Sequence, residues 1–327
     1  MKEELLQRAI DGTDFLASLV KPSGKFIYGY KRPNSSQHIK GYNILRHAGC
    51  VWALLTAYET IPNKEYLKKS KLALDWMIKN HIQSYKDLDR WDDNVSMVVE
   101  NGQVKLGGNA LAILALMKYN SIRHNVKYEY TSNKLAEYIS LFCTTGNGMF
   151  MFHKKDVKYD VAIDFVSEFY PGEAALALCQ FNGHYHYILD KIFNYHFRLR
   201  EAMGHIRDHW MMQALESSGM GKRYMKYADA IVYEEIRSGP SHKSCAAACR
   251  SEGMLSYLTF EINKDKTKTI KKYLEEFIKF QMSMQIMKKR YKGGFIWSST
   301  NEMVRCDASQ HNICSFLRYY KMLNEEE

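Results

Sequence analysis

Two kinds of helix alternating along the chain predict an all-α protein, an (α/α)6 toroid of about twelve helices with short β-hairpin-like loops at one end. One kind is short and apolar nearly all round, as in Ala174-Ala175-Leu176-Ala177-Leu178 and Ala110-Leu111-Ala112-Ile113-Leu114. The other is longer, amphipathic and charged on one face, as over residues 266–289. A helix apolar on every side must be covered on every side, whereas an amphipathic one keeps a face in water. The alternation therefore asks for an inner ring and an outer ring. An imperfect repeat adds to this: Gly24-Lys25-Phe26-Ile27-Tyr28, Gly148-Met149-Phe150-Met151-Phe152 and Gly294-Phe295-Ile296-Trp297 each follow an outer helix and precede a polar cluster and an inner helix. An open solenoid would repeat regularly, every ~34 to 47 residues. The irregular spacing here favours closure, with a single domain over residues 1–327.

In chain order, helices are expected over 3–20, 50–60, 63–80, 106–117, 131–145, 171–182, 185–201, 207–215, 224–238, 245–262, 266–289 and 305–323. Asp92-Asp93-Asn94 lies in a long polar loop. Asn101-Gly102, between two β-prone runs, marks a hairpin over 96–105. No linker between two domains is visible.

With 46% hydrophobic residues the chain can build a sizeable core. Its net charge of +10 favours anionic partners but is spread along the chain. No basic recognition helix or zinc-finger spacing appears, so no nucleic acid is expected. The N-terminus lacks the apolar stretch of a signal peptide, and no run reaches the ~18 to 20 apolar residues of a membrane span. The seven cysteines form no even secreted framework. These features point to a cytoplasmic protein with free thiols and no membrane contact.

The six inner helices are expected to begin near Arg46, Gly108, Pro171, Asp208, Cys249 and Asp307. In an antiparallel toroid such starts share one end. Five carry polar groups: Arg46-His47; Glu168, Tyr170 and Glu173; Asp208-His209-Trp210; Arg250 and Glu252; and Arg305, Asp307, Gln310 and His311. The sixth, Gly107-Gly108, offers room and open backbone N–H groups. Each cluster also has a plain account. Asp208 and Asp307 suit helix caps, and the arginines suit ion pairs with Glu173, Glu252 and Asp307. Their recurrence makes the same residues candidates for chemistry. His47, Tyr170, Glu173, Asp208, His209, Glu252, Asp307 and His311 are the catalytic candidates. Tyr42, Arg46, Trp210, Arg250, Arg305 and Trp297 are the substrate-binding candidates. The aromatics Phe26, Tyr28, Tyr30, Phe150, Phe152, Phe295 and Trp297 either line a cleft or cap the core.

Cys245 and Cys249 share a helix face and a histidine could join them, but no CxxC or HExxH occurs. Cys306 beside Arg305 and Asp307 is a weak nucleophile candidate. No metal is expected. No GxGxxG, P-loop or GxSxG is present, and no cofactor is expected.

The runs Gly24 to Tyr30, Tyr42-Asn43-Ile44-Leu45-Arg46-His47-Ala48-Gly49, Gly107 to Ala112, Tyr170-Pro171-Gly172-Glu173 with its apolar continuation, and Asp208-His209-Trp210 resemble the bacterial α/α-toroid proteins. That superfamily holds six-hairpin glycosidases, uronyl hydrolases and lyases, sugar epimerases and lanthionine cyclases. The resemblance covers most of the chain and matches no single family. It is least to the lanthionine cyclases, whose zinc signature is not matched by Cys245 and Cys249 or by Cys306 and His311. It implies a carbohydrate-active enzyme using acid/base chemistry on an acidic saccharide. Hydrolysis would draw two carboxylates from Glu173, Asp208, Glu252 and Asp307. Epimerisation or elimination of a uronic acid would use an arginine for the carboxylate and His47, His209, His311 or Tyr170 for the proton. The alternatives are a peptide-modifying cyclase-type toroid with zinc and a non-catalytic glycan-binding toroid.

Overall fold

The computed structural model describes residues 2–33, 35–84, 95–203, 208–288 and 290–325. The Asp92-Asp93-Asn94 loop and the helix start at residue 207 lie outside them. The elements run α1 (Lys2–Ser18), β1 (Gly29–Tyr30), α2 (Ile44–Thr60), α3 (Lys64–His81), β2 (Ile82–Ser84), β3 (Ser96–Glu100), β4 (Gln103–Lys105), α4 (Leu106–Ile122) and α5 (Val126–Glu137). A π-helical turn, Tyr138–Cys143, extends α5. Then come β5 (Lys154–Asp156), β6 (Val161–Ala162), α6 (Tyr170–Leu178), α7 (His186–Met203), α8 (His209–Ser217), α9 (Met225–Ser238), α10 (Ser244–Leu258), α11 (Lys264–Ser283), β7 (Ile296–Ser298), β8 (Asn301–Arg305) and α12 (Cys306–Glu325).

The helices group into two compact units. The first joins the two ends of the chain, Met1–Trp76 with Glu235–Glu327. In it α12 packs against α10, α1 and α2, and α11 packs on α10. Strand β8 pairs antiparallel with both β1 and β7, so the N-terminal strand is held by the C-terminal segment. Asn43 starts α2 by accepting from the Leu45 N–H, and Asn263 starts α11 by accepting from Asp265 and Lys266. A buried polar chain crosses the helices: Gln281 donates to Ser251 at 2.7 Å, and Ser315 donates to the Gln281 carbonyl oxygen. Every polar atom in that chain is matched, so its burial is inexpensive. Gly24, at φ +91°, lies against the Leu72 carbonyl, an approach that leaves no room for a side chain.

The second unit is Met77–Glu234. Helices α4, α6 and α8 lie in a row, with α5 on α4 and α7 on α6. Helix α4 is buried continuously from Leu106 to Leu116, as its all-round apolarity requires. A five-stranded antiparallel sheet, ordered β2-β3-β4-β5-β6, flanks it. Asn101 and Gly102 both take left-handed backbone angles, φ 53° and 71°, the geometry of a tight two-residue hairpin. Asn109 anchors that hairpin: its side chain accepts from Val98 N–H and donates to the Lys105 carbonyl, both at 2.9 Å.

Some boundaries differ from the sequence reading. Helix α2 starts at Ile44 rather than residue 50, because Asn43 caps it. Helix α5 starts at Val126 rather than residue 131, capped by Asn125. Helix α10 starts at Ser244, within a residue of the expected 245, so Arg250 sits in its second turn and Glu252 in its third rather than at a mouth near Cys249. The repeated aromatics divide between two uses. Phe26, Phe150, Phe152 and Phe295 are buried core, whereas Tyr28, Tyr30 and Trp297 remain partly exposed.

Candidate active site

In the first unit the polar candidates gather where α2, α10 and α12 pack together. Asp307, in the first turn of α12, is held by two arginines. Arg305 donates from Nε to Oδ1 at 2.9 Å and from Nη2 to Oδ2 at 2.5 Å. Arg46 of α2 reaches Oδ2 at 3.0 Å. Burial opposes the charge on Asp307, but the two guanidiniums win and hold its carboxyl below the usual range. The Tyr28 ring lies 5.4 Å from the Arg46 guanidinium and 5.8 Å from that of Arg305, and Trp297 lies 5.2 Å from Arg305. Arg305 is nearly covered, whereas the Arg46 side chain is 35% exposed.

One turn along α12, His311 Nδ1 meets Glu252 Oε2 at 2.8 Å. Burial disfavours the imidazolium, but Cys245 and Glu252, with Asp307, push the His311 pKa up to about 9. The second carboxylate oxygen, Glu252 Oε1, is buried without a hydrogen-bond partner among the described residues. Cys245 and Cys249 hydrogen-bond to each other beside this pair. That bond, against burial, lowers the Cys245 thiol, while burial first and the same bond second raise Cys249. Arg250 points elsewhere and donates to the Gly239 carbonyl, closing the turn before α10.

His47 is a structural peg. Its Nε2 bonds the Ala73 carbonyl at 2.9 Å and its Nδ1 meets the Tyr42 hydroxyl at 2.6 Å. A carbonyl only accepts, so Nε2 carries the proton and Tyr42 donates to Nδ1. Tyr42 in turn accepts from the Phe26 N–H at 3.1 Å. Both residues thus position the aromatic segment before α2.

In the second unit, taken by itself, Tyr170 and Glu173 begin α6, with proline in its first turn. Both side chains fill the space a Cβ on Gly107 would need, so the glycine at the start of α4 is there for close packing. Tyr170 also faces the His153 and Phe165 rings. Asp208 caps α8 through the Met211 N–H at 3.0 Å and pairs with Arg200 at 2.9 Å. Both its oxygens are engaged and it is fully buried, which lifts its pKa to about 6 despite Arg200. His209 and Trp210 are buried next to Asp208, with Phe169 on the His209 ring.

The sequence reading missed Arg200 as the partner of Asp208, Tyr28 as the ring beside the two arginines, and Gln281. Arg200 lies in the last turn of an amphipathic helix, where a basic residue is ordinary. Nothing local marks it as buried.

Among the described residues no helix is long and apolar enough to cross a membrane, and all seven cysteines are free. No protein-family model and no curated protein sequence matches the chain. Solved structures do match, over nearly the whole length. A sugar epimerase from a ruminal bacterium superposes with a TM-score of 0.71 at 15% identity, covering 98% of this chain and 99% of that one. A cellobiose 2-epimerase from Bacillus thermoamylovorans gives 0.71 at 12% identity, covering 98% and 100%. An unsaturated glucuronyl hydrolase specific for heparin gives 0.68 at 9% identity, covering 99% of each. At these identities the likeness establishes the fold, and the chain has the α/α-toroid fold that its alternating helices predict.

Proposed function

We propose that this protein is a carbohydrate-active enzyme that uses acid/base chemistry on an anionic saccharide. The observation that carries this reading is the wall of the first unit in which Arg46 and Arg305 share Asp307 beside Tyr28 and Trp297, with His311 and Glu252 one turn away. Two guanidiniums on one carboxylate leave a positive charge over, and Arg46 keeps open donors for a sugar carboxylate. The aromatic rings supply apolar faces for the sugar ring. The likeness to proteins described as sugar epimerase, cellobiose 2-epimerase and unsaturated glucuronyl hydrolase supports a saccharide substrate, and the two arginines are what favour an anionic one.

Within this class the geometry favours proton abstraction over hydrolysis by paired carboxylates. Asp307 is held as the anion by two arginines and has no proton to give. Glu252 is tied to His311 rather than open on a cleft. The neutral form of His311, the minor one below its raised pKa, is oriented by Glu252 to remove the proton α to a uronate carboxylate. The proton then returns on the other face in epimerisation; in elimination the C5–H electron pair forms the C4=C5 double bond while the C4 substituent leaves with the C4–O electron pair.

The test is incubation with uronic-acid and neutral oligosaccharides in deuterated water, followed by NMR. Deuterium at C5 of a uronate, or a new C4=C5 double bond, lost in His311→Gln and weakened in Arg46→Ala, is the expected result. Turnover of neutral sugars only, or full activity in His311→Gln, overturns the proposal.

A further inference from the structure

Helix α10 places Cys245, Cys249 and Glu252 at i, i+4 and i+7, a single face of the helix. That face meets His311 of α12. The Cys249 sulfur, a Glu252 carboxylate oxygen and an imidazole nitrogen of His311 all lie within 4.8 Å of one another. Cys245 adds a second sulfur, hydrogen-bonded to that of Cys249. We propose that Cys245, Cys249, Glu252 and His311 form a binding site for one borderline transition-metal ion, zinc foremost.

Three features support the site apart from spacing. The donor set is two thiols, one imidazole and one carboxylate, the mixture that selects zinc over calcium or magnesium. Tetrahedral zinc needs its ligand atoms ~3.3 to 3.8 Å apart, so the spread of the Cys249, Glu252 and His311 donors closes by about an ångström through side-chain rotation. Glu252 is completely buried, and its Oε1 lacks a hydrogen-bond partner, although such an oxygen is costly to leave unmatched. Glu235 and both thiols lie close by, so the neighbourhood is rich in groups that a cation stabilises. Neither cysteine belongs to a metal motif in the sequence. The fourth residue comes from a helix some 60 positions later, as the 59-residue separation of Glu252 and His311 records.

Metal loading also engages His311 and Glu252 as ligands, which withdraws them from proton transfer. This consequence rests on the proposed function, whereas the metal site itself does not.

The test uses the whole purified protein. Metal content is measured first, then the protein is stripped with chelator and titrated with cobalt(II). One cobalt per chain, with a sulfur-to-cobalt charge-transfer band and tetrahedral visible bands, is expected. Cys249→Ser and His311→Gln should weaken binding more than ~10-fold, the loss seen when groups that merely orient ligands are removed. Circular dichroism melts confirm that each variant is folded, and the wild-type spectrum needs no variant. An absent charge-transfer band, or a band that survives in Cys245→Ser/Cys249→Ser, overturns the site. Zinc-loaded protein as active on uronates as the stripped protein overturns the withdrawal of His311 while leaving the site standing. A cobalt spectrum as expected with no saccharide turnover in either form overturns the proposed function alone.

Discussion

His47 donates to the Ala73 carbonyl at 2.9 Å while accepting from Tyr42, so an imidazole in the first unit joins α3 to the segment before α2. His47→Ala removes two hydrogen bonds, leaving the Tyr42 hydroxyl proton and one lone pair of the Ala73 carbonyl unmatched, each worth about 1 to 3 kcal/mol. Urea unfolding should show a loss of about 3 kcal/mol. Tyr42→Phe, which removes one hydroxyl, should cost only about 1 kcal/mol.

Two glycines of the first unit separate a rigid approach from a yielding one. A Cβ on Gly24 meets the Leu72 backbone carbonyl, and its φ of +91° strains any other residue. Gly24→Ala should destabilise by about 3 kcal/mol in urea unfolding. A Cβ on Gly49 meets only the amide end of Gln310, which lies next to His311. Gly49→Ala should cost less than about 1 kcal/mol after its gain in helix propensity, and should instead move the Gln310 amide, visible as a changed His311 ring shift in NMR.

The two arginines on Asp307 should part in their effects. Arg305 is nearly covered and doubly bonded, so Arg305→Ala leaves a poorly compensated buried carboxylate and costs about 3 kcal/mol. Arg46 is 35% exposed, and solvent screens its pair, so Arg46→Ala should cost under about 1 kcal/mol. Its loss should appear in saccharide binding, as a raised KM with little change in the melting temperature.

His196, in the second unit, gives a pH dependence of definite sign. Burial, then the charges of Arg200 and His153, push its pKa down to about 3. The unfolded chain binds this proton near pH 6.5 and the folded protein does not. The stability it contributes is present above pH 6.5 and is lost as pH falls toward 3. One such histidine gives a slope of about 1.4 kcal/mol per pH unit. Urea midpoints measured from pH 7 to 4 should fall less steeply in His196→Gln than in the parent, and parallel curves for the two proteins would refute the assignment.

Much of the fold was legible because its signals are local. Helix α4 is apolar on all sides, and Asn101-Gly102 has a two-residue turn chemistry. The site was less legible because its partnerships are distant. Asp307 was visible as a polar helix start, yet nothing near Arg46 says that it crosses to α12. Asp208 reads as a cap from its own neighbours, and is one, but its pairing with Arg200 depends on how α7 packs. The helix over 245–262 was placed to within one residue at its start, but its mouth was set near Cys249, because the small residues Ser244 to Ala248 carry no charge to mark the first turn. The residues that carry that helix's chemistry therefore lie deeper in it than the pattern suggested.

The joining of the two chain ends in the first unit has a consequence for synthesis. Helix α2 has buried residues on nearly every turn, and its cover includes α12. During translation α2 leaves the ribosome long before α12 is made. At ~5 to 20 residues per second the delay is on the order of tens of seconds. The second unit is continuous in the chain and has every residue it needs well before then. Through that interval the apolar surface of α2 has no native partner on α12, so the nascent chain is a natural client for a ribosome-associated chaperone.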